Sequence, residues 1–276
     1  MSLANRALWT IDRNLTGELS LGRVAEFCGV SRYHLAHAFG ESTGMPVMEY
    51  VRRRRLTEAA DNLANGADNI LDLALEHGYA SHEAFSRAFR AQFGMTPEEV
   101  RRKATTDGLP VQKPLKTGQV AVPAIKADRV VDLPRMLFVG LLEHVLFSQM
   151  QTIASQWQRF MPRYGEIDDK AHPIPVGIST NLDDEGNFDY VCALEVKRSI
   201  SVPKGMVQLA VPAQTYAVFR HSRHVSEIGQ TYGAIWNEWL PPQGRSIADG
   251  ASIERHLETF DTNTGFGGVE IYIPIR

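Results

Sequence analysis

Apolar residues recur at helical spacing through the first hundred positions: Leu21, Val24, Ala25 and Cys28, then Leu35 with Phe39, and later Phe85 with Phe89. Each set predicts a helix with one buried face. The pattern also repeats. Ser31, Leu35, Ala38, Phe39, Gly44 and Met45 recur 50 positions later as Ser81, Phe85, Ala88, Phe89, Gly94 and Met95. Ala25 and Gly29 recur 49 positions later as Ala74 and Gly78. Each unit reads as a helix, a glycine turn, a serine cap and a second helix. A long helical stretch from about Pro46 to Leu63 joins the two units. The second closes with Thr96-Pro97-Glu98-Glu99, an N-cap, a proline at the first helical position and a capping-box glutamate. This is the layout of a helix-turn-helix, whose second helix enters the DNA major groove. Two such units in register are far more specific than one.

The helical period stops near Thr105. Gly108, Pro110, Pro114, Gly118 and Pro123 follow, which predicts a linker over residues 108–126 between domains at 1–107 and 127–276. Beyond it, strand and helix patterns alternate in what reads as two strand-helix-strand-strand copies. The first runs through Arg135–Leu142, Gln149–Met161, Pro175–Thr180 and Tyr190–Val196. The second runs through Thr215–His221, Ile228–Leu240, Ser252–Glu258 and Val269–Ile275. Alternation puts Glu270 and Tyr272 on the strand face opposite Val269, Ile271 and Ile273. Trp239-Leu240-Pro241-Pro242 reads as a helix end. The expected architecture is therefore two-domain: an all-α double helix-turn-helix domain, then an α+β domain of two copies with helices on one face of antiparallel sheet.

A length of 276 residues agrees with two domains, at about 150 residues each. With 43% hydrophobic and 22% charged residues the chain fits a globular class. Two cysteines, Cys28 and Cys192, exclude a disulfide scaffold and a closed four-cysteine zinc site. His34 and His37 lack an evident third metal ligand, and no cofactor motif is present. Met1–Asn14 has no signal-peptide core. The most apolar stretch, Met136–Phe147, is broken by Glu143 and His144. The expectation is a cytoplasmic protein without a membrane partner.

The net charge of −3 argues at first against nucleic acid. Residues 1–104 carry 13 Lys and Arg against 13 Asp and Glu, and residues 105–276 carry 16 against 19. The first half is neutral but locally polarised. Phe27–Gly40 holds Arg32 and no acid, Ala84–Pro97 holds Arg87 and Arg90 and no acid, and Arg52–Arg55 form a run of four. Phosphate contact requires local positive charge, not a positive total. Four consecutive helical residues cannot all face DNA, so one or two are expected to reach phosphate and the rest to bridge elements.

Residues 5–104 resemble the AraC/XylS family of transcription regulators. The match rests on Ala25, Gly29-Val30-Ser31, Leu35, Phe39, Gly44-Met45-Pro46, Arg54, Leu56, Ala59, Ala60, Leu63, Ile70, Ala74, Gly78-Tyr79, Ser81, Phe85, Arg87, Phe89, Phe93-Gly94 and Pro97. The resemblance implies DNA-reading positions on exposed faces of two recognition helices. These are Arg32, Tyr33, Ala36 and His37 in the first, and His82, Glu83, Ala84 and Arg87 in the second, with Arg90 nearby. Arg87 suits a bidentate guanine contact, worth about 1–3 kcal/mol of discrimination. Glu83 either accepts from cytosine N4 or orients Arg87. Double-stranded DNA is the first expected partner and RNA polymerase the second.

From Asp128 onward the chain resembles the GyrI-like effector-binding domain, also found in multidrug-responsive regulators. The carrying residues are Tyr216–His221, Ile235–Pro241, Ile253–His256 and Val269–Pro274, with Ser222 where the family often has glycine. The resemblance implies a small organic effector, aromatic or cationic, in a groove between the two copies. Its expected wall is Trp157, Tyr190, Phe219, Trp236 and Tyr272, and its acid Glu270, with Glu195 and Glu254 behind. The expected activity is regulation, not catalysis. The alternatives are a small-molecule hydrolase using a groove carboxylate, or a protein-sequestering module.

Overall fold

In the computed structural model, helix follows helix through the first hundred residues: α1 (Leu3–Asp12), α2 (Leu21–Cys28), α3 (Arg32–Thr43), α4 (Val47–Ala64), α5 (Ile70–Glu76), α6 (His82–Phe93) and α7 (Pro97–Lys103). The structure describes residues 2–67, 69–115, 125–239, 245–261 and 264–276. The start signals act as the pattern predicts. The Ser31 hydroxyl accepts from the His34 amide at 3.2 Å, and the Ser81 hydroxyl from the Ala84 amide at 3.2 Å. Thr96 and Glu99 complete the capping box. Gly29 and Gly78 turn the chain with φ of 68° and 79°.

Each helix-turn-helix has its own core. In the second, Leu56, Ala60 and Leu63 of α4 pack on Phe85, Phe89 and Phe93 of α6. In the first, Leu8, Ile11, Val24, Leu35 and Phe39 come together, and their core continues without a break into the C-terminal half.

The arginine run divides its work. Arg54 donates to Asp12 at 2.8 Å and to the Gln112 carbonyl at 3.0 Å, while Arg55 donates to the carbonyls of Leu15 and Gly17. Arg52 and Arg53 stay exposed. The first part of the expected linker, residues 108–115, forms neither helix nor strand. It lies pinned along α4 all the same. The Gln112 amide donates to Thr57 at 2.9 Å, and Leu109 and Val111 pack on the second core. Gly118 and Pro123, and the expected helix end at Leu240–Pro242, lie outside the described residues.

The C-terminal half contains β1 (Arg129–Leu133), β2 (Met136–Val145), α8 (Thr152–Phe160), β3 (Val176–Thr180), β4 (Phe188–Val196), β5 (Val207–Val211), β6 (Gln214–His221), α9 (Ile228–Glu238), β7 (Ser252–His256) and β8 (Val269–Ile275). The eight strands form one sheet in the order β1-β6-β8-β7-β3-β4-β2-β5, with every pairing antiparallel. β1 and β5, which the sequence pattern did not predict, close its two edges. The centre of the sheet is the β3–β7 pair, where Gly177 stands opposite Glu254. α8 packs over Tyr190, Cys192 and Leu194 on one side of this seam, and α9 over Phe219, Ile271 and Ile273 on the other. The opposite sheet face buries Phe138, Ile178, Val191, Tyr216, Val218 and Ile253. No helix among the described residues is long and apolar enough to cross a membrane.

Candidate functional site

The strand period of two places Ser252, Glu254 and His256 of β7 on the face that carries the helices, and Ile253 and Arg255 on the other. Glu254 is thereby aimed into the seam between α8 and α9. One of its oxygens accepts from the Tyr190 hydroxyl of β4 at 2.8 Å, the other from the Tyr232 hydroxyl of α9 at 2.7 Å. Trp157 of α8 donates its indole N–H to the Tyr190 oxygen at 3.3 Å. The residue facing Glu254 across the strand pair must be small, because a Cβ at Gly177 would lie 2.0 Å from the Tyr190 hydroxyl. Burial raises the Glu254 carboxyl above its ordinary range, against the lowering effect of the two tyrosine hydrogen bonds. Burial and the adjacent carboxylate push Tyr190 and Tyr232 upward, so both keep their protons and act as donors. Among the described residues no lysine or arginine forms an ion pair with Glu254.

The expected first acid, Glu270, is not part of this cluster. Val269, Ile271 and Ile273 take the helix-bearing face of β8, so Glu270 and Tyr272 project from the other one. There Glu270 forms a two-pronged pair with Arg129, at 2.7 and 2.8 Å, and accepts from Tyr272 at 2.8 Å. Arg129 lowers its pKa. Glu195, on the same far face, pairs with Arg255 at 3.0 Å. Both carboxylates already have their counter-charge. Of the expected wall, Tyr190 and Trp157 line the Glu254 cluster. Trp236 stands behind Tyr232, their rings stacked at 6.2 Å with 9° between planes. Phe219 is fully buried beneath α9, edge-on to Trp239 at 4.9 Å, and belongs to the core. Tyr232 was missed, although it stands four residues before Trp236 on one helix and so shares its face.

On the DNA-binding half, α6 presents Glu83, Arg87 and Arg90 to solvent. The Glu83 backbone N–H and the Ser81 hydroxyl lower the Glu83 pKa ahead of any effect of Arg87, as suits an acid in the first turn of a helix capped by Ser81. His82 approaches Glu98 at 3.3 Å, and Ala84 is half-buried.

The face of α3 expected to be exposed is covered. Tyr33 and Ala36 are only 5% and 7% exposed. α9 lies against them: Tyr33 meets Trp236 edge-on at 5.5 Å, and His37 stacks on the same indole at 4.9 Å. The Tyr33 hydroxyl shares a 2.7 Å hydrogen bond with Ser252 of β7. His34 Nε2 lies 2.6 Å from the Trp236 carbonyl, and Asn237 donates to the Ala38 carbonyl at 3.2 Å. Gly40 abuts Phe147, whose ring a Cβ would enter at 2.4 Å. Arg32 alone of the four expected readers remains exposed, 3.7 Å from Asp184. The apolar character that suits Tyr33 and Ala36 to a buried interface is visible in the sequence, but the partner helix is 200 residues away and no local pattern points to it.

The GyrI-like small molecule binding domain family matches residues 129–276, and the helix-turn-helix domain family matches residues 24–103. Transcriptional regulator Rob of Salmonella typhimurium is 27% identical over 282 residues, taking in 98% of this chain and 96% of Rob. Transcriptional regulator BrlR of Pseudomonas aeruginosa is 36% identical over 152 residues, 53% of this chain and 54% of BrlR. The multiple antibiotic resistance protein MarA of Salmonella typhimurium is 36% identical over 91 residues, 33% of this chain and 72% of MarA.

Proposed function

Because the chain belongs to the AraC-type, DNA-binding transcription regulators that carry a GyrI-like small molecule binding domain, we propose that its effector is an organic cation with aromatic or apolar bulk, taken up at Glu254. One observation carries this reading: a partly buried carboxylate with no lysine or arginine ion-pair partner among the described residues, held by two tyrosine hydroxyls at the seam of the sheet. Placing a carboxylate in such surroundings is costly unless an opposite charge arrives. A cation supplies that charge, and aromatic faces such as Tyr190, Tyr232 and Trp157 each add about 0.5–2 kcal/mol of attraction. The strands and helices on the two sides of the seam are read as two related copies, with the effector between them. Binding, not turnover, is the role of the domain: both Glu254 oxygens accept from protonated tyrosines, so the carboxylate is engaged as an acceptor and not free to serve as a general base.

On the DNA side, Arg87 and Arg90 of α6 and Arg32 of α3 are the readers exposed in this state, His82, Glu83 and Ala84 of α6 lie beside them, and Tyr33, Ala36 and His37 of α3 join the surface only when α9 no longer covers them. Calorimetric titration of the whole protein with tetraphenylphosphonium tests the effector reading. Saturable binding that Glu254→Gln abolishes supports it. Equal binding by both proteins, or none by either, refutes it.

A further inference from the structure

The contacts of α3 with the C-terminal half have a specific location. Ser252, which bonds Tyr33, lies two residues from Glu254 on the same face of β7. Trp236 carries His37 of α3 on one side and Tyr232 on another, and Tyr232 reaches Glu254. Helix α3 therefore lies over the seam that holds the carboxylate, linked to it by the series His37, Trp236, Tyr232 and Glu254. The contact is polar as well as apolar. The Tyr33 amide donates to Asp249 at 3.3 Å, alongside the Ser252, Trp236 and Ala38 hydrogen bonds.

A recognition helix must present a bare face to bases, because the major groove is only about 12 Å wide and a single helix fills it. Two helices packed side by side have axes about 8–10 Å apart, so α9 adds a second helix where DNA would have to be. We propose that α3 is the internal occupant of the effector groove, held there off DNA, so that a docked α3 and a DNA-reading α3 exclude one another. The inference rests on the reading of Glu254 as the effector carboxylate and names the regulation of that site. An effector that pairs with Glu254 draws the carboxylate away from Tyr232. Tyr232 then shifts against Trp236, the platform on which α3 rests. Effector binding thus favours release of α3 and raises DNA affinity.

The geometry supplies its own test. A Cβ at Gly233 of α9 would lie 4.0 Å from the Cβ of Glu41 on α3, within the usual disulfide spacing of about 3.5–4.5 Å. The full-length double variant Glu41→Cys, Gly233→Cys is therefore able to lock the two helices together. Native Cys28 and Cys192 are buried. The DNA probe is a duplex enriched from a random pool by the reduced variant, and the effector probe is tetraphenylphosphonium. We expect the oxidised variant to bind the duplex at least about tenfold more weakly than the reduced one, with full recovery on reduction. Asn237→Asp, which sets a carboxylate against the Ala38 carbonyl, is expected to act in the opposite sense and tighten DNA binding without ligand. Equal duplex affinity in the oxidised and reduced states overturns the docking. Failure of the reduced variant to bind tetraphenylphosphonium removes the effector reading and overturns the ligand half of the inference, whereas the redox effect on DNA reports on the docking alone.

Discussion

His37 of the first recognition helix stacks on Trp236 of α9, their ring centroids 4.9 Å apart and their planes 20° from parallel. Burial lowers the His37 pKa to about 4 from an ordinary 6.5, with His34 adding a smaller effect in the same direction. Tyr33 and His34 face it from its own helix, Trp236 from α9 and Phe188 from β4, and none of these is a carboxylate. Docking therefore requires the neutral imidazole. Its stability is fully present above the free histidine value and is lost as pH falls from 6.5 toward about 4. Each pH unit within that window costs up to about 1.4 kcal/mol. Protection factors of the α3 amides, taken against the intrinsic exchange rate at each pH, should fall on acidification; protection that stays constant across the window contradicts the stacked assignment.

The ion pair of Arg129 with Glu270 joins β1 to β8, and with Glu254 proposed as the effector carboxylate it has no part in capture. Glu270→Gln should leave tetraphenylphosphonium affinity unchanged and cost about 1 kcal/mol or less of stability, since Arg129 is well exposed to solvent. Loss of ligand binding in this variant would return Glu270 to the site. By contrast, cation affinity should fall with acidification at a pH above the usual carboxylate range, because the raised pKa of Glu254 brings its protonation earlier.

Gly177→Ala tests the fit of the seam. The added methyl would stand 2.0 Å from the Tyr190 hydroxyl and 3.1 Å from Glu254 Oε2. Overpacking of this kind costs about 1–3 kcal/mol. The expected result is a lower melting temperature together with weakened cation binding. A variant as stable as the parent would mean that Tyr190 does not occupy this position.

Arg87 is exposed on α6 and free of any ion pair among the described residues. Arg87→Ala should cost about 1–3 kcal/mol on the selected duplex and much less on random DNA. Gel-shift titrations on both duplexes decide it: equal losses would reduce Arg87 to a phosphate contact.

The elements of both halves were legible because their signals are local. Serine caps, glycine turns and the periods of 3.6 and 2 located eight strands and helices of the C-terminal half within a few residues. β1 and β5 escaped because each is a short edge strand whose partner lies far along the chain. That Glu270 lies away from the seam has a different origin. Alternation correctly placed Glu270 and Val269 on opposite faces, but it carries no information about which face the helices cover. That choice is made by Trp236 and Ile235 packing on Phe219, Ile271 and Ile273. The covering of Tyr33, Ala36 and His37 escaped for the same reason: a continuous core across two domains leaves no periodic trace in either.

The unequal exposure of the two reading helices has a kinetic consequence. α6 is bare and α3 sheathed, so under the proposed docking the protein meets DNA with one hand, and such an encounter is expected to be weak and brief. Long α4 ties the two helices together, so α3, once freed, searches for its groove at a high effective concentration fixed by that tether. Regulation then acts mainly on residence time: the closed protein samples many sites and leaves each quickly, and opening turns a sampled site into an occupied one.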